Sequence, residues 1–203
     1  MTDGQLPETQ VGLVLRWAVV EHGTAGLADM IGPSVVIREP PDRFMPQEAV
    51  VCGPVLLFRR ERAAAPGRLS SYEVVRRAVS PGVVVVIHAD PTVGAAFGSG
   101  IALLAADRGA AAMITDGTWR DAWRLRTLSM PVGANGADPT RPAGCPVAPT
   151  DDETIFGARW SSGDWLLRDA DGMVRLNPEA ALRAATAIAA EPTGDLISLL
   201  GQP

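Results

Sequence analysis

Lysine is missing altogether from these 203 residues, so all 18 basic side chains are arginine. That absence excludes whole mechanisms, because a Schiff-base aldolase, a lysine-anchored pyridoxal-phosphate enzyme and a P-loop nucleotidase each need a lysine amine. Any carbon–carbon cleavage by this chain must stabilise its enolate with a metal or with arginine. Cysteine is almost as scarce. Cys52 and Cys145 lie far apart with no CxxC pair, which excludes a zinc knuckle and a dithiol redox motif, and Cys52 within AVVCGPVLLF reads as a small core residue. No apolar stretch approaches the roughly 18 residues of a membrane span, and the N-terminal MTDGQLPETQ lacks the basic and apolar regions of a signal peptide. The expectation is a cytoplasmic protein with no membrane partner. A net charge of −5 argues against a nucleic-acid partner. The one basic cluster, Arg59, Arg60, Arg62 and Arg68, reads as a solvated loop.

What is present is a globular composition, 47% hydrophobic and 20% charged, of a length that fits one domain over residues 1–203. Residues 10–22 have helical spacing, with Thr9 as N-cap and Gly23 as a stop, and a second short helix begins at Thr24. β-Branched enrichment predicts strands at 34–38 and 49–59, with a loop between them. Ser71 is expected to cap a helix that ends before Pro81-Gly82. The valine run 83–87 predicts a strand apolar on both faces at the centre of the sheet. A helix over about 100–108 leads through Gly109 into a strand at 111–115, and residues 141–153 read as a long surface loop. Asp171-Gly172 between two apolar segments predicts a hairpin, and Pro178 opens a final helix ended by Pro192. Together these elements predict an α/β sandwich on one mixed sheet.

Candidate chemistry gathers in residues 98–121, GSGIALLAADRGAAAMITDGTWRD. Backbone amides at Gly98, Ser99, Gly100 and Ile101, freed at a helix start, form an anion cradle, although the glycines serve close packing equally well. Arg120 follows a turn at a strand end and carries a planar fork suited to a substrate carboxylate, or to an ion pair with a neighbouring acid. Asp121 is either a ligand for a hard cation or the N-cap of the following AWRLRTL helix. Asp116 reads as a turn residue. His88 ends the central strand, as a base in the same pocket or as a hydrogen-bonded structural histidine, while His22 reads as a helix-dipole partner. Trp119 and Trp123 read as packing residues or as walls of the pocket.

Gly98, Gly109, Asp116-Gly117 and Arg120-Asp121 resemble the motif of the RraA-like family. Gly53-Pro54 with VLLFR, Pro81-Gly82 with VVVVIH, Met130-Pro131-Val132 and the segment 163–176 extend the likeness more weakly. That family includes 4-hydroxy-4-methyl-2-oxoglutarate aldolases, oxaloacetate decarboxylases and non-catalytic regulators of ribonuclease E. The resemblance implies a swivelling ββα-type three-layer fold with a mixed central sheet, assembled as a homotrimer or hexamer with sites at subunit boundaries. It implies a divalent-metal-assisted carbon–carbon lyase acting on a small α-keto acid. Arg120 would then hold the substrate carboxylate, Asp121 would coordinate Mg2+ or Mn2+, and a metal-polarised water or His88 would move the proton. This chain departs from the pattern in carrying Ser99 where family aldolases have an acid or amide. Trp123 and Arg124 likewise stand where those aldolases have an acid, so the metal loses acidic support and Arg124 adds a competing charge or a second hold on substrate. Two alternatives follow from these departures: a non-catalytic oligomeric regulatory protein, or a metal-free biosynthetic enzyme using Arg120 and Arg124. Glu191 and Asp195 loosely resemble the acidic end region that reaches a neighbouring subunit's site.

Overall fold

The computed structural model describes residues 6–32, 36–38, 40–60, 69–89, 94–141 and 147–190. Its long strand β2 (Val51–Arg60) organises the rest. Apolar side chains alternate along it, so one face is available to helices and the other to a second layer. The second half of β2 pairs in parallel with β3 (Val84–Ala89), which pairs in parallel with β4 (Ala112–Thr115), which pairs in parallel with β5 (Val132–Ala134). β1 (Arg43–Met45) adds antiparallel to β5. The first half of β2 pairs antiparallel with β9 (Trp165–Arg168), followed by β10 (Met173–Leu176), giving the order β1-β5-β4-β3-β2-β9-β10. β6 (Val147–Pro149) lies against the end of β2, and β7 (Asp152–Ile155) pairs with β8 (Ala158–Ser161) as a separate hairpin. The valine run is central, as its two apolar faces require.

Helices cover one face. Helix α1 (Glu8–Ile31) and helix α5 (Pro178–Ala190) pack on Cys52, Leu167, Val174 and Leu176. Helices α2 (Ser71–Ala78) and α3 (Ser99–Asp107) pack on Phe58, Val85 and Ile87, beside the one-turn α4 (Ala122–Leu125). The opposite face, with Val55, Leu57, Val84, Val86 and Leu166, is covered by Ile155, Phe156 and Trp160 of the β7–β8 hairpin. The sheet curls around this second core until its two ends meet. Phe44 of β1 lies under the Arg168 guanidinium of β9, 4.0 Å from ring centre to Cζ.

Several local expectations change. The helix start has Pro7, not Thr9, at the N-cap position, while Gly23 does break α1, with φ 68°. Ser70, not Ser71, caps α2, in a reciprocal capping box with Glu73. Of the expected strand 34–38, residues 34 and 35 lie outside the described residues, and among 36–38 Val36 makes an isolated bridge to Val174. The expected loop before β2 contains β1, and the expected loop 141–153 contains β6 and the start of β7. Arg60 is buried and donates from Nε to the Ala96 carbonyl at 2.7 Å, so it does not belong to a solvated cluster. Arg62, Arg68, Cys145, Glu191, Pro192 and Asp195 lie outside the described residues. Cys52 is buried, and desolvation pushes its thiol up to about 12. Among the described residues no helix is long and apolar enough to cross a membrane.

Candidate functional site

The chain after β4 folds back along the segment leading into α3. Ala96 N–H donates to Thr118 O at 2.7 Å and Arg120 N–H to Phe97 O at 3.0 Å, so residues 118–121 lie beside residues 96–99. Asp121 sits at the N-cap position of α4 but in the left-handed region, φ 59° and ψ 34°, and its side chain makes no cap bond there. Its carboxylate turns instead to the start of α3. It accepts from the Ser99 amide at 3.2 Å and the Ser99 hydroxyl at 3.1 Å. This is the arrangement that helix-terminal amides favour, with a negative group at the positive end of a helix.

Gly98 makes the approach possible. A Cβ there would stand 2.8 Å from both Arg120 Cγ and Asp121 Oδ2. The glycine is thus needed for close approach of Arg120 and Asp121 to the helix start. Arg120 Nε lies 3.8 Å from Asp121 Oδ2, and both side chains are about one-third exposed. Ser99 is buried. Gly100 faces the hydroxyl of Tyr72, and Ile101 is buried in the core beneath α3. Arg124 lies over the exposed ring of its neighbour Trp123, 4.8 Å from the centroid, whereas Trp119 is buried edge-on to Phe97. The two tryptophans therefore divide between surface and core.

His88 is placed elsewhere. Strand alternation puts it with Val84 and Val86 on the face of the β7–β8 hairpin, while Ile87 and Ala89 face α2 and α3. Its Nδ1 lies 2.5 Å from Asp116 Oδ2, and the other oxygen of Asp116 accepts from the Ala89 amide at 3.0 Å. The hydrogen bond to Asp116 holds the imidazole above its ordinary 6.5, against the opposing effect of burial. A histidine raised in this way is an acid more readily than a base. Among the described residues no hydrogen bond or ion pair joins His88 and Asp116 to Arg120 and Asp121. His22 stands edge-on to Trp17, 5.4 Å away, just before the break in α1. Asp116, expected as a turn residue, also bridges strands through its carboxylate to His88 and the Ala89 amide. The signal for that role was its position at the end of a strand parallel to the one that His88 ends.

No cluster of three or more His, Cys, Asp or Glu side chains suited to a metal occurs among the described residues. At the turn itself there is one carboxylate, its Oδ2 shared between two donors and beside a guanidinium. Hard divalent cations take several oxygen ligands, so a single carboxylate engaged by two donors beside a guanidinium is a poor set for a resident Mg2+ or Mn2+.

The fold and this site define an α/β protein with a glycine-opened helix start facing an Arg-Asp pair. Residues 24–175 match the family model RraA-like, described as Aldolase/RraA. The chain belongs to the RraA-like family, which includes both lyases and ribonuclease E inhibitors. Among solved structures it is similar to Streptomyces coelicolor RraAS2, described as an unusual member of the RNase ES inhibitor RraA protein family. That match has 22% identity over 89% of this chain and 91% of the other, with TM-score 0.70. The RNA-processing inhibitor RraA from Thermus thermophilus matches at 22% identity over 76% and 92%, TM-score 0.61. A Geobacillus kaustophilus structure titled S-adenosylmethionine: 2-dimethylmenaquinone methyltransferase matches at 26% identity over 76% and 94%, TM-score 0.63.

Proposed function

We propose that Ser99 and Arg120 hold the carboxylate of a small α-keto acid, and that the chain is a carbon–carbon lyase in which arginine does the work of a cation. The observation that carries this reading is the Asp121 carboxylate on the Ser99 amide and hydroxyl beside Arg120. It is an internal stand-in for a substrate carboxylate. On binding, the substrate replaces Asp121 at Ser99, and the released Asp121 side chain turns to solvent. With oxaloacetate, the bond from C3 to the departing carboxylate breaks and CO2 leaves. The electron pair passes into the enolate, whose oxygen lies against the Arg120 fork, and protonation of C3 by water yields pyruvate. In retro-aldol cleavage of 4-hydroxy-4-methyl-2-oxoglutarate water takes the C4 hydroxyl proton, the C3–C4 bond breaks, one pyruvate leaves, and the same enolate remains to be protonated at C3 to a second pyruvate. Assembly as a homotrimer or hexamer belongs to this proposal.

The test is turnover of both acids with chelator and with added Mg2+ or Mn2+. Turnover is expected to survive chelation and to fall at least 100-fold in Arg120→Ala. Turnover only with added metal would overturn the metal-free chemistry. No turnover under any condition would leave a non-catalytic regulatory protein, the reading that Ser99, Trp123 and Arg124 favour by standing where acids are expected.

A further inference from the structure

A second site lies where the curled sheet closes. Between β1, α4 and the β9–β10 turn is a cleft of about 470 Å³, lined by Arg43, Phe44, Trp119, Arg126, Arg168 and Met173 among others. That volume suits a small organic molecule. Its walls hold a guanidinium with a single hydrogen-bond acceptor among the described residues and a buried indole. Arg168 is only 7% exposed, and its one hydrogen bond is from Nη1 to the Ala49 carbonyl at 2.9 Å. Its guanidinium otherwise rests on the Phe44 ring, and no carboxylate pairs with it among the described residues. Trp119 is 2% exposed, and its indole N–H is buried with no partner.

Buried polar groups are normally paired, and a buried charge without a counter-charge is among the more costly arrangements in a protein. Asp169 and the exposed Glu48 act on Arg168 through space without pairing with it directly. Asp169 gives its carboxylate to the Thr24 amide and hydroxyl and to the amides of Asp171 and Gly172. Asp42 and Asp171 are exposed, where water screens them, as are Arg43 and Arg126. The cleft thus carries both charges at its rim, with the buried Arg168 beside an apolar wall of Phe44, Met45 and Met173.

We propose that this cleft binds a small organic carboxylate with an apolar body, its oxygens on Arg168 and its body against Phe44 and Met173. The proposal is independent of the reading of Arg120, which belongs to the other site. Titration calorimetry of the full chain with benzoate, acetate and inorganic phosphate tests it. Benzoate is expected to bind at least 10-fold more tightly than acetate or phosphate. Arg168→Met should abolish that binding, and Arg120→Ala should leave it unchanged. Because Arg168→Met removes a buried packing contact, Ala170→Trp provides a second variant, narrowing the mouth from an exposed turn with Arg168 in place; it too should block benzoate. Binding lost in Arg120→Ala but kept in Arg168→Met and Ala170→Trp would overturn the proposal. So would phosphate matching benzoate, or a chain that binds no benzoate and whose oligomer dissociates in Arg168→Met.

Discussion

Gly98→Ala separates the chemistry of the helix start from its packing. The backbone there is extended, φ −140° and ψ −175°, which alanine adopts freely, so the whole effect comes from the methyl group. That methyl would meet Arg120 Cγ and Asp121 Oδ2 at 2.8 Å and Arg120 Nε at 3.1 Å. Overpacking in a core costs about 1–3 kcal/mol. Both neighbours are one-third exposed and free to rotate outward, which places the cost near the lower limit, with about 0.5 kcal/mol more for alanine at an N-cap position. A loss of about 1.5 kcal/mol corresponds to a melting temperature lower by about 5 °C in a chain of this size. The outward rotation has a larger effect on ligand, because it removes a charged hydrogen bond worth about 1.5–3 kcal/mol, or roughly 10- to 100-fold in affinity. Thermal melting paired with oxaloacetate titration reads both quantities on one sample. Unchanged oxaloacetate affinity at the lowered melting temperature would refute the placement of the carboxylate against Arg120.

Gly53→Ala should be far more damaging at a position without chemistry. Its methyl would run into the backbone carbonyl of Gly82, which cannot rotate away, so a loss of about 3 kcal/mol is expected in urea unfolding, and less than 1 kcal/mol would contradict the close approach of β2 to the turn before β3. The His88–Asp116 pair predicts a pH dependence. Because the folded imidazole is raised above 6.5, with Asp116 and Glu153 raising it and Arg59 opposing, the pair's stabilisation of about 1 kcal/mol is full below that value. It is lost as pH rises through the folded value. Urea midpoints should fall over that alkaline interval in the wild type and stay flat in His88→Gln, and a parallel fall in both would place the titration elsewhere.

The elements legible in the sequence are those whose signal is local. The valines of β3, the break at Gly23 and the Asp171-Gly172 turn each act through their own backbone or their immediate neighbours. Strands β1, β6 and β7 have only three or four residues, too few for a periodic pattern, and exist because a neighbouring strand offers them a ladder: Arg43 to Met45 on β5, Val147 to Pro149 on β2, Asp152 to Ile155 on β8. The same distinction governs the sites. Gly98 and Arg120-Asp121 stand out as a motif, but the partnership of His88 with Asp116 depends on the parallel register of β3 and β4, in which Ile87 lies opposite Thr115. Arg168 and Trp119 share a cleft only because the first and last parts of the sheet curl together. That closure is a property of the whole sheet and leaves no mark on residues 119 or 168.

Ser99 shows how the helix start satisfies its charges without a cation. An acid at position 99 would face the Asp121 carboxylate, and two carboxylates at that distance repel unless a cation or a shared proton lies between them. Serine supplies a hydroxyl donor beside its own amide donor, and both reach the same oxygen of Asp121. The left-handed backbone at Asp121 and the missing side chain at Gly98 bring that oxygen into range. Serine at 99 thus gives Asp121 a hydrogen-bonded partner where an acid would give a repulsive one. The positive charge left to act on a ligand is that of Arg120, consistent with a chain whose basic residues are all arginine.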